Sequence, residues 1–117
     1  MKATVAACTA GLLLTFCQAA SARESNSKSA NNVMPGCRSL VSNSNKDSFF
    51  QGVCAGTVDA AAIFVKGICL PEHVIIDQAV RVVVKYIDAQ PERQHELFAD
   101  LAAEALSAAW PCPSAFH

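Results

Sequence analysis

At 117 residues with a formal net charge of −1, the chain is one domain at most. Its charge is split: residues 23–46 hold four basic and one acidic residue, a balance of +3, and residues 47–112 hold four basic and nine acidic, a balance of −5. An acidic body disfavours nucleic acid as a partner; it suits a basic protein surface or plain solvation.

Residues 1–22 read as a secretory signal. Lys2 supplies the charged start, Ala3 to Phe16 is a run of weakly polar to apolar residues, and Ala20-Ser21-Ala22 fits a small-residue cleavage site. The run falls short of the roughly 20 apolar residues that a bilayer span needs. Cys17 follows Leu14-Thr15-Phe16, which puts a bulky ring where a lipoprotein signal wants a small residue. A product starting near Arg23, with no membrane association after cleavage, is expected.

That product keeps Cys37, Cys54, Cys69 and Cys112. An even cysteine count in a small exported chain reads as two disulfides. Each would contribute roughly 2–4 kcal/mol against a total stability of about 5–15. The chain has no CxxC, and His73, His95 and His117 lack ligand spacing, so neither a metal nor a cofactor is expected.

Residues 23–36 are rich in Ser, Asn, Lys and Ala with little to bury, and are expected to form a flexible leader. The domain proper is expected over 37–117, and it starts with a Ser/Asn loop from Cys37 to Lys46. A first helix is predicted from Asp47 or Ser48 to Lys66, with Asp47 as N-cap and Gly67 as its stop. Phe50, Val53, Cys54, Thr57, Val58, Ala61, Phe64 and Val65 recur at three- and four-residue steps as its apolar stripe. Gly52, Gly56 and Ala60 form a small-residue ridge, which is expected to let a second helix approach closely.

Pro71 restricts Leu70 to extended geometry, so Ile68 to Val74 reads as a tight connection. A second helix is predicted from Ile76 to Ala89, with Ile76, Ala79, Val80, Val83, Tyr86 and Ile87 on one face. The run Val82-Val83-Val84 is taken as helical because the periodicity continues on both sides. Pro91 breaks this helix, and a third is predicted from near Pro91 or His95 to Trp110. Its apolar face holds Leu97, Phe98, Leu101, Ala102, Ala105, Leu106, Ala108 and Ala109. The short link makes helices two and three an antiparallel hairpin. The start of one and the end of the other then share an end of the molecule, which favours Cys69–Cys112 and leaves Cys37–Cys54, one of three possible connectivities. The class is a small all-α, disulfide-linked bundle of three to four helices.

Catalytic chemistry is not legible. There is no Ser-His-Asp order, phosphate loop or HExxH; Asp59 reads as a helix-surface acid, and His95 and Glu96 beside Arg93 as a solvated first turn. The chain is not expected to be an enzyme.

Residues from about Gln51 to Cys112 resemble the Rap/Tai family of immunity proteins, found in bacteria that export peptidoglycan amidases by type VI secretion. The resemblance is carried by Cys54 and Gly56, the Cys69-Leu70-Pro71 turn, Gln78, Val83-Val84-Lys85-Tyr86, Pro91-Glu92-Arg93 with His95, Ala105-Leu106, and the closing Trp110-Pro111-Cys112. It implies a periplasmic all-α fold, related to that of acid-stress chaperones of the HdeA type and often homodimeric. It also implies a protein partner, a peptidoglycan amidase whose cleft is occluded. The turn at Glu72, His73, Val74 and Asp77 is the candidate partner-binding element, with the Ser/Asn segment before the first helix as the other. An acid-stress chaperone, exposing apolar faces when Asp59, Asp77, Asp100 and Glu104 protonate, is the competing expectation, followed by a structural envelope module.

Overall fold

The computed structural model describes residues 27–114. The expected signal over 1–22 and the start of the expected leader lie outside them. Four helices follow in order: α1 (Ala30–Val41), α2 (Ser48–Phe64), α3 (Ile76–Asp88) and α4 (Phe98–Ala109), with a short 3₁₀ turn over Pro91–Arg93 before the last. No strand is formed among the described residues beyond two isolated bridges, Ser29 to Leu97 and Ile68 to Pro111. The class is all-α, as the periodicity predicts.

Over residues 30–41, where a flexible leader to residue 36 and a loop after it are expected, the chain forms α1. Its Ser/Asn composition conceals Ala30, Val33, Met34 and Cys37, which recur at three- and four-residue steps and are all buried. Pro35 and Gly36 lie inside the helix, although either residue usually interrupts one. Pro35 points to solvent. Gly36 is required by a close approach: a Cβ there would lie 2.3 Å from the carbonyl carbon of Phe50. The start of α1 has no side-chain cap. Instead Ala30 and Asn31 donate their N–H groups to the carbonyls of Glu96 and Gln94, at 2.9 and 2.8 Å.

Asp47 stands at the start of α2 but in a left-handed conformation, φ 56°, with no side-chain cap bond. Gln51 secures this turn, donating to the carbonyls of Ser44 and Lys46 at 2.8 and 2.7 Å. Helix α2 ends at Phe64, short of the expected Lys66. Gly67, at φ 89°, then turns the chain as only glycine does readily. Helix α3 is continuous through Val82-Val83-Val84. Pro91 separates it from α4.

Val58, Val80, Val83, Ile87, Phe98, Leu101 and Leu106 close one core with α1, in which all four helices share. Cys37 bonds Cys54 within it, and Cys69 bonds Cys112 across the ends of the α3–α4 hairpin. The link before α4 is no freely solvated turn. Arg93 is bidentate to Glu104, at 2.8 and 2.9 Å, and also bonds Glu96 at 2.7 and 3.0 Å. Tyr86 donates its hydroxyl to Glu104 at 3.1 Å. The guanidinium beside them holds both carboxyls below the usual carboxylate range and raises its own pKa.

Candidate functional site

Two surfaces stand out among the described residues: the turn between α2 and α3, and the outer face of α2. The turn is built on a closed base. Cys69 N–H donates to the Trp110 carbonyl at 2.9 Å, and Cys112 N–H to the Gly67 carbonyl at 3.2 Å. Between these bonds Ile68 is buried and faces Pro111, and the Cys69–Cys112 bond lies alongside. From this base the chain runs through Pro71, and the Val74 N–H bonds back to the Pro71 carbonyl at 3.4 Å. The apex is Glu72-His73. Their side chains are 95% and 94% exposed, and His73 takes φ 71°, a left-handed conformation that costs a non-glycine residue free energy. Their side chains meet at only 4.0 Å, a pairing that needs protonated His73.

The four residues singled out in this turn therefore divide. Glu72 and His73 project into solvent. Val74 is half-buried and packs on the core. Asp77 is engaged by Arg81 at 3.0 Å, and the same guanidinium donates to the Val41 carbonyl at 2.9 Å, which ties α3 to the end of α1. The chemistry offered at the apex is one carboxylate and one imidazole, both projecting into solvent. Among the described residues no cluster of His, Cys, Asp or Glu could hold a metal ion.

The outer face of α2 was not legible as a surface. Phe49, Gly52, Gly56, Ala60 and Ile63 fall within about a quarter of the helix circumference, and all are exposed. The expected ridge of Gly52, Gly56 and Ala60 admits no helix among the described residues, since a Cβ at either glycine would meet nothing within 4 Å. Phe64, expected in the buried stripe, is 79% exposed, and Phe49 and Ile63 are 73% and 65% exposed. The buried residues of α2, Cys54, Val58 and Ala61, share one side of the helix, so its neighbours pack there and the opposite side, with Phe49 and Ile63, meets none of them among the described residues. A shallow groove of about 510 Å³ follows the face, between Gly56, Ala60 and Phe64 on one side and Ala99, Asp100 and Ala103 of α4 on the other. One signal was available: Asp59 is the only charged residue from Ser48 to Phe64, and a helix apolar on all sides is normally covered on all sides. Smaller corrections apply to α4, whose expected apolar face includes Leu97, Ala108 and Ala109; all three are exposed.

Among the described residues no helix is long and apolar enough to cross a membrane. A family model described as Rap1a immunity proteins matches residues 9–112. The match therefore takes in α1, which a resemblance over residues 51–112 leaves out. No curated protein and no solved structure matches the chain.

Proposed function

The chain belongs to the Rap1a immunity protein family, and on that premise we propose that it is a non-catalytic periplasmic inhibitor that binds a peptidoglycan amidase delivered by type VI secretion. In this reading the N-terminal run is removed on export and the mature protein meets the effector in the envelope. Two disulfides fit an oxidising compartment.

The observation that carries the mechanism is the Glu72-His73 apex. It is fully exposed, projects from a base closed by a disulfide and two backbone hydrogen bonds, and offers only two polar side chains. A preformed projection of this shape enters a cleft with little ordering cost, which is how a small inhibitor gains affinity from a small contact. Val74 packs on the core and Asp77 is engaged by Arg81, so in this reading neither contacts the partner. The outer face of α2, which meets no neighbour among the described residues and carries one charge, is the surface on which we place pairing of two copies.

Co-purification of the tagged chain from its native host tests the reading. The expected result is recovery of a peptidoglycan amidase whose hydrolysis of purified sacculi is suppressed by a stoichiometric amount of this chain. Recovery of the chain alone, or of an amidase that it does not inhibit, refutes it. The competing reading, an acid-stress chaperone, is favoured by the exposed Phe49, Ile63 and Phe64. It is separated by a client-aggregation assay at about pH 3, below the ordinary carboxylate range, where an immunity protein gives no protection.

A further inference from the structure

The two disulfides have opposite surroundings. Cys37 and Cys54 are both 0% exposed and belong to the core. Cys69 is exposed and Cys112 half-buried, outside that core. A disulfide opens when a thiolate reaches one of its sulfurs, so access decides which of two bonds exchanges first.

The accessible bond also occupies a specific place, three residues before Glu72. It joins the segment around Cys69 to the one around Cys112, beside the two backbone bonds to Trp110 and Gly67. Otherwise the segment from 66 to 75 is held by buried Ile68, by half-buried Leu70 and Val74, and by the 3.4 Å bond within its turn. Ile68, Leu70 and Val74 pack on the edge of the core that the helices share, and reduction of the outer disulfide removes none of these side chains. That core closes around the other disulfide and around side chains of all four helices.

The geometry points to Cys69–Cys112 as a dithiol-operated clamp: its reduction loosens the Glu72-His73 apex, and with it the contact to the effector, while the four helices stay folded. One thiolate of the dithiol attacks the Cys69 sulfur, the S–S bond breaks, and Cys112 leaves and takes up a proton. The second thiolate attacks the mixed disulfide, releases Cys69 as a thiol, and closes the reductant's own disulfide. Two electrons pass to the protein, and reoxidation reverses the steps. The regulatory sense rests on the apex being the element that meets the effector, as proposed above; the accessibility of the bond does not.

The test uses the oxidised mature chain with dithiothreitol, quenched with iodoacetamide and mapped by peptide mass spectrometry, with hydrogen exchange in parallel. Cys69 and Cys112 are expected to alkylate at least about tenfold faster than Cys37 and Cys54. Exchange should rise across residues 66–75 while the helical amides stay protected. Equal rates for the two pairs, or helix-wide exchange as soon as the first bond opens, overturn the clamp. A second arm compares binding to the co-purified amidase by a Cys69→Ser/Cys112→Ser chain and by a Glu72→Ala/His73→Gly chain with both disulfides intact. The expected loss is about tenfold or more in each. Weak binding by the apex variant beside parental binding by the serine variant overturns the clamp alone. Parental binding by the apex variant overturns the apex reading, and the regulatory claim falls with it. Dithiothreitol treatment of the unsubstituted chain serves where the serine variant does not fold.

Discussion

Replacing Gly36 by Ala puts the α1–α2 contact under direct test. A methyl group there lies 2.3 Å from the Phe50 carbonyl carbon and 2.5 Å from its oxygen and Cβ, where ordinary contacts begin at 3.4 Å. Two of these atoms are backbone, so no side-chain rotation relieves the clash. The helices would have to move apart by about 1 Å, yet the Cys37–Cys54 bond beside the contact ties them together. Overpacking of this kind costs about 1–3 kcal/mol, and the degree of overlap places Gly36 at the upper end. Alanine regains about 1 kcal/mol of helix propensity, which leaves a net loss of about 2 kcal/mol. In a domain of this size each kcal/mol shifts Tm by about 4–8 °C, so a fall of roughly 8–16 °C is expected in a far-ultraviolet circular dichroism melt. Gly52→Ala and Gly56→Ala, with nothing within 4 Å, serve as controls in the same protein. Each is expected to gain about 1 kcal/mol in the monomer from propensity alone. A Gly36→Ala chain that melts at or above the parent temperature refutes the reasoning.

Three further outcomes follow. Glu96 and Glu104 have lowered folded pKa values because Arg93 bonds both, so their contribution to stability is present above the unfolded carboxylate pKa and is lost as pH falls through the folded values. Urea midpoints should therefore decline as pH drops below about 4.5, and Glu104→Gln should flatten that decline; an unchanged slope contradicts the network. His73→Gly relieves a left-handed residue, so it should leave the unfolding free energy from urea titration unchanged or raise it by up to about 1–2 kcal/mol; a destabilised variant contradicts the reading of the turn. Ile63→Lys, on the bare face of α2, should leave the fold within about 0.5 kcal/mol of the parent but reduce self-association in sedimentation velocity. Identical sedimentation of a dimeric parent and the variant would remove that face from the interface.

Helical periodicity is a local property, and where it was strong the chain could be read directly. Ile76, Ala79, Val80, Val83 and Ile87 repeat at helical steps, so α3 and its boundaries were apparent despite the valine run. Its hairpin with α4 then brings Cys69 and Cys112 to one end, which made the sulfur pairing a matter of topology. Helix α1 is hidden in the sequence because its buried side chains are few, its polar face is Ser and Asn, and Pro35-Gly36 reads as a break. Only the approach of Phe50 explains why glycine is needed there. For Phe64 and the Gly52-Gly56-Ala60 ridge the converse holds: the spacing is clear and the burial is not. Spacing tells which residues share a face, but whether that face is covered depends on the side on which neighbouring helices pack, and here they pack on the side of Cys54, Val58 and Ala61. The same limit holds at the candidate site. Residue order marks Glu72 to Asp77 as a turn, but the backbone at Trp110 and Gly67, reached only when the ends of the hairpin meet, makes its base rigid and separates an exposed Glu72-His73 apex from an Asp77 held by Arg81.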